Sequence, residues 1–115
     1  MISYILFAHF ISDFVLQSRW VAENKAKNGH ALMLHGFIYS AGMFALLSVF
    51  PARFGHSYYD LLFYIVLNWF LHVHVDLITS QLTSYYYLNK KMFWVCIGAD
   101  QLIHGLCLIN ISGLI

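Results

Sequence analysis

Seven side chains in this 115-residue sequence are of types that bind metals or move protons: His9 with Asp13, His35, His72 with Asp76, and Asp100 with His104. Residues four apart share one face of an α-helix, so each of the three pairs sets an imidazole beside a carboxylate. Gln17 prolongs the first stripe and Asn68 the second. Mixed imidazole and carboxylate donors suit zinc, iron, manganese or nickel, and zinc is the first choice as the divalent cofactor. Seven donors exceed the four of one tetrahedral zinc, which leaves room for two ions in a helical bundle. The faces that carry the donors hold no Lys or Arg, so Asp13, Asp76 and Asp100 leave a charge of −3 to be balanced. Two divalent ions with a bridging hydroxide balance it; protonation is the other remedy. Gln17 and Gln101 are the candidates for the orienting hydrogen bonds that metal-binding His and Asp side chains need.

The elements that must position these donors are apolar. The chain is 61% hydrophobic and only 10% charged, with a mean hydropathy of +0.69; soluble domains carry about 25% charged residues. Such a composition reads as an integral membrane protein. With a net charge of +1 and no basic run, nucleic acid is excluded as a partner; the lipid bilayer is the expected one, and oligomerisation is open. A helix needs about 20 apolar residues to cross a bilayer. Four stretches are expected to do so, residues 2–18, 31–50, 58–82 and 92–115, giving one all-α domain over 1–115, a polytopic four-helix bundle.

The first stretch has no basic leader or small-residue cleavage site and carries His9 and Asp13, so it reads as a retained helix. Trp20 in the polar stretch that follows marks a short interfacial helix. Pro51 stops the second span, and Ser57 with Asp60 makes a capping box for the third. Lys and Arg concentrate in the first and third connectors (Arg19, Lys25, Lys27, Lys90, Lys91) against Arg53 alone in the second. These two connectors are therefore expected to face the cytoplasm, with both termini outside. Counted from that side, Asp13, His35, Asp76 and Asp100 lie at roughly 6–12 Å depth on their own helices. Ionisable residues inside a bilayer face the bundle interior and mark a functional site by default.

The His-x-x-x-Asp pair at residues 9–13 recurs at 72–76, and Leu34-His35-Gly36 recurs as Ile103-His104-Gly105. Two tandem helical hairpins related by an axis along the membrane normal would produce this. Other polar residues read more plainly. His74 lies about 200° round the helix from His72 and is expected off the cluster; His30 and His56 are connector residues. Cys96 and Cys107, about 16 Å apart on one helix, read as buried thiols, and Ala41, Gly42, Gly98 and Gly105 as places of close helix approach.

The functional expectation is a metal-dependent hydrolase acting within the membrane. A metal-bound water would attack an ester, amide or phosphoester of a lipid-like substrate, with Asp13 as general base. A small metal-ion or proton transporter and a non-catalytic membrane scaffold are the alternatives. Little polarity on the outer halves of the spans (Ser3, Ser40, Ser48, Asn110, Ser112) counts against a through-pore.

The pattern His9-Phe-Ile-Ser-Asp13-Phe-Val-Leu-Gln17, then Trp20, Lys25 and His35, then His72-x-x-x-Asp76, then Asp100-Gln101-Leu-Ile-His104 resembles domain-of-unknown-function family 3307. These are small membrane proteins of bacteria and some phages, and the resemblance covers nearly the whole chain. It implies a polytopic protein of the bacterial inner membrane with those residues as its characteristic positions. The sequence is more loosely similar to bacterial inner-membrane metal-dependent hydrolases, whose spans also carry His and Asp.

Overall fold

Ser18 adopts an extended conformation (φ −72°, ψ 156°) and its Oγ accepts from the backbone N–H of Val21. This cap starts a new short helix and so ends the N-terminal one early. The computed structural model describes residues 1–49 and 57–113; the expectations placed on Phe50, Pro51, Arg53, His56 and the last two residues fall outside the described residues. Helix α1 (Ile2–Phe10) runs into a π-helical turn at Ile11–Val15, seen in the Leu16 N–H bonding back to the Ile11 carbonyl at 3.1 Å. The surface helix α2 (Arg19–Asn24) is followed by α3 (Gly29–Ser48), α4 (Tyr58–Tyr85) and α5 (Lys90–Ser112).

Over the first expected span, 2–18, the helix is shorter than the span. Its nine α-helical and five π-helical residues reach about 20 Å, short of the roughly 30 Å hydrocarbon layer. Among the described residues three helices, α3, α4 and α5, are long and apolar enough to cross a membrane. The other boundaries follow local chemistry. Asn28 and Asn89 accept from the first N–H groups of α3 and α5, and Ser57 and Asp60 form the reciprocal capping box of α4. At 28 residues, α4 is about 42 Å long and runs nearly the full 46 Å of the bundle.

α4 packs against both α3 and α5, and α1 lies against α3 and α5. The interior is graded along its length. At one end Ile5, Met43, Leu47, Leu61, Ile65, Leu108 and Ile111 form an apolar core. Towards the other, beside α2, the buried residues include His9, Asp13, His35, His72, Asp76, Asp100 and His104 as well as the apolar Val21, Ala31 and Leu32. The outside is the reverse, with Phe7, Phe37, Phe63, Val66, Ile78, Trp94 and Leu102 all exposed. An apolar exterior around a charged interior is the polarity of a protein solvated by lipid.

Close approach of α3 to α4 rests on Gly36, where a Cβ would stand 2.7 Å from Val73 and 2.9 Å from the Trp69 ring. Gly42 serves α1 in the same way, its would-be Cβ 2.7 Å from Leu16 and 2.8 Å from Ser12. Gly98 has no heavy atom within 4 Å of that position, and Gly105 meets only Leu6 of α1, at an ordinary van der Waals distance of 3.8 Å. Cys96 and Cys107 are free and half-buried rather than buried, because the bundle is too thin to enclose those faces of α5.

Candidate metal centre

The π-helical turn is where the site begins. It holds Asp13 at its centre and widens the backbone there, a departure from regular helix that recurs at functional positions. Asp13 is turned towards α3, with Oδ1 3.0 Å from His35 Nε2 and 3.6 Å from His72 Nε2. Asp76, on α4, reaches the same point from the opposite side, its Oδ2 3.0 Å from His35 Nε2 and 3.4 Å from His72 Nε2. The two imidazole nitrogens are 3.1 Å apart. Donors about 2.0–2.1 Å from a tetrahedral zinc stand about 3.3–3.4 Å from one another, and these five separations bracket that value. Asp13, His35, His72 and Asp76, all buried, thus form a four-donor set of the right size for one divalent ion.

A second set of donors, Asp13, Asp100 and His104, adjoins the first and shares Asp13 with it. His104 Nε2 is 3.2 Å from Asp100 Oδ1 and 3.1 Å from Asp76 Oδ1. Asp76 therefore also faces both sets, one oxygen to each, an arrangement suited to paired ions about 3.5–4 Å apart. The residues matched by the internal sequence repeat stand in matched positions. Asp13 meets His35 at 3.0 Å as Asp76 meets His104 at 3.1 Å; the His35 and His72 rings are 5.1 Å apart at 44°, the His9 and His104 rings 5.5 Å apart at 46°.

His9 is beside the donors and engaged on both ring nitrogens, with Nδ1 3.1 Å from the Tyr39 hydroxyl and Nε2 3.2 Å from Gln101 Oε1; Asp13 Oδ2 is 3.8 Å away. Gln101 donates through Nε2 to Asp13 Oδ2 and Asp100 Oδ2, each at 2.9 Å, and so ties two carboxylates together. Gln17 does not continue the stripe of His9 and Asp13. The π-turn shifts the register and the helix has ended before it, leaving the Gln17 Oε1 buried without a hydrogen bond. His74 is exposed and bonded to the Phe70 carbonyl at 2.7 Å, and His30 is also exposed.

The charge expected for the site needs one correction. Lys25 enters from α2's C-terminal end and donates to Asp76 Oδ2 at 3.4 Å, so the three carboxylates are not without a fixed cation. No helical periodicity links residue 25 to the donor stripes; a long stem on the turn below the bundle carries its ammonium inward. Tyr39 and Thr79 also join the site. Tyr39 stacks on His72 at 3.7 Å and 7° and accepts from Asn68 Nδ2 at 2.8 Å; Thr79 donates to Asp100 Oδ1 at 2.5 Å. Their signal was in the sequence: Tyr39 is four residues from His35 and Thr79 three from Asp76, on the same helical faces.

On the α2 side the cluster opens into a cavity of about 650 Å³, with Asp13, Asp100 and Gln101 in its wall. Asp76 and His72 are not part of that wall and lie behind it. The donors thus face a partly open cavity on one side and the apolar core on the other.

No curated protein and no solved structure matches the chain. The family model described as "Protein of unknown function (DUF3307)" matches residues 1–115, and the chain belongs to that family.

Proposed function

We propose that the protein is an intramembrane metal-dependent hydrolase that acts on a lipid-like ester, amide or phosphoester. The observation that carries this reading is the pair of adjoining donor sets beside a small cavity. Asp13 (through Oδ1), His35, His72 and Asp76 would hold one divalent ion, zinc first, and His104 and Asp100 with Asp76 Oδ1 a second. A bound ion of this kind lowers the pKa of a water towards neutrality and polarises the oxygen of a scissile bond. Asp13 is the general base in this reading. It borders the cavity, and its Oδ2 is turned from the His35–His72 side towards Gln101, where it can take a proton from an attacking water. Gln101 fixes that oxygen; Tyr39, stacked on His72, fixes the imidazole plane.

Hydrolysis is favoured over ion conduction by the far end of the bundle. Met43, Leu47 and Leu108 of the apolar core are completely buried there. In this reading the cavity end faces the cytoplasm at the bacterial inner membrane, a reading supported by Arg19, Lys25, Lys27, Lys90 and Lys91 in and around the connectors at that end.

The test is metal content and metal-supported hydrolysis of the purified protein, wild type against Asp13→Asn and Asp76→Asn. Stoichiometric metal in the wild type and its loss in Asp76→Asn are expected, with hydrolysis abolished in both variants. Hydrolysis by wild-type protein that holds no metal would overturn the reading, as would carriage of the metal across liposomes.

A further inference from the structure

The cavity beside the cluster has a charge pattern that the metal donors do not use. Lys25 and Lys27 line it together with Asp13 and Asp100. Lys25 spends one of its three N–H donors on Asp76, and Lys27 has no ion-pair partner among the described residues. The one acid that shares this wall, Glu23, is tied to Arg19 at 2.8 Å. On α4, Thr83 satisfies itself on the Thr79 carbonyl at 2.8 Å. Ser80 does not: it lines the cavity, is 8% exposed, and its Oγ is buried with no hydrogen-bond partner. A nine-tenths-buried hydroxyl without a partner, set beside two ammonium groups, is a place for an anionic oxygen.

The remaining wall mixes apolar residues (Phe14, Phe93, Ile97) with polar ones (Gln17, Ser84, Tyr87). Phe14 lines the cavity and is 44% exposed on the outer face, so the wall continues onto the surface that lipid would cover. A space of about 650 Å³ falls in the range of small-ligand sites, about 300–1,000 Å³, and admits a headgroup rather than a polymer. Lysine ammoniums act as point charges for phosphate, and paired-ion sites commonly act on phosphoesters.

We infer that the cavity takes the phosphate-bearing head of a lipid-like amphiphile, with Lys25 and Lys27 neutralising the phosphate, Ser80 donating to it, and the chain leaving over Phe14. This rests on the hydrolase reading and gives it a substrate class.

Full-length protein in detergent micelles, titrated calorimetrically with dihexanoylphosphatidic acid, dihexanoylglycerol and inorganic phosphate, tests it, with zinc content measured on the same samples. The phosphatidic acid is expected to bind at least tenfold more tightly than the other two. Lys27→Met and Ser80→Ala should each lose about threefold of that affinity at unchanged zinc content, and the double variant Lys25→Met/Lys27→Met at least tenfold. Lys27→Met alone, on an exposed residue, keeps the test available where the double variant does not fold. Equal binding by lysine variants and wild type, or equal binding of the uncharged diacylglycerol, overturns the inference; inorganic phosphate binding as tightly as the amphiphile removes the lipid from it. Zinc-free wild-type protein that still binds phosphatidic acid through the lysines sinks the hydrolase reading and leaves the phosphate site standing.

Discussion

Replacing Gln101 with Leu removes a single side chain whose every hydrogen bond ends on the cluster. The carboxamide holds Asp13 Oδ2 and Asp100 Oδ2 at 2.9 Å each and meets His9 Nε2 at 3.2 Å. Leu is close to it in volume and restores none of these. Asp13 belongs to both donor sets, so loosening it disturbs both. Loss of one orienting hydrogen-bond donor behind a metal ligand weakens metal affinity about 10–100-fold, equivalent to about 1.4–2.7 kcal/mol. Because Gln101 supports two carboxylates, the upper half of that range is expected. The assay is competition for zinc against a chromophoric chelator, on wild type and Gln101→Leu in the same detergent, with far-UV circular dichroism to show that both are equally helical. A change of less than threefold at unchanged helicity would refute the reasoning, since Gln101 would then only fill space between α1 and α5.

Tyr39→Phe leaves His9 Nδ1 and Asn68 Nδ2 without their shared hydroxyl, at a cost of about 1–3 kcal/mol for buried groups left unsatisfied; the midpoint of thermal or denaturant unfolding in detergent should fall accordingly. Gly36→Ala drives a methyl to 2.7 Å from Val73 and 2.9 Å from Trp69. Overpacking of this kind costs about 1–3 kcal/mol, and because His35 and His72 flank the contact, zinc affinity should fall with stability when both are measured on one preparation. His74→Ala is the contrasting case. The ring is exposed and bonded only to its own helix, so zinc content and stability should match wild type, and a loss of metal would place His74 in the site.

The donors were legible because burial in a helix bundle imposes a period that short side chains must obey. His72 and Asp76, or Asp100 and His104, lie four residues apart and meet in space because each pair shares one helical face. What escaped the sequence depends on breaks in that period. The π-turn at Ile11–Val15 has no distinctive residue, yet it turns Asp13 inward and leaves Gln17 off the stripe. Lys25 lies beyond a helix end, where the path of the chain rather than its periodicity decides what the side chain can reach. The early end of α1 has the same origin: Leu16 is apolar enough to prolong a helix, and the Ser18 cap one turn later overrides it. Gly36 shows the limit of reasoning from residue type, since Gly98 is the same residue and touches nothing.

The graded interior has a consequence for traffic. With Leu47, Met43 and Leu108 fully buried beyond the cluster, the chamber is blind at that end and its mouth lies by α2. On the hydrolase reading, substrate and product would share this one opening, and a departing product and an arriving substrate would exclude one another. The same geometry makes the two leaflets unequal: inverted in the bilayer, an identical molecule would sample a different population of lipids.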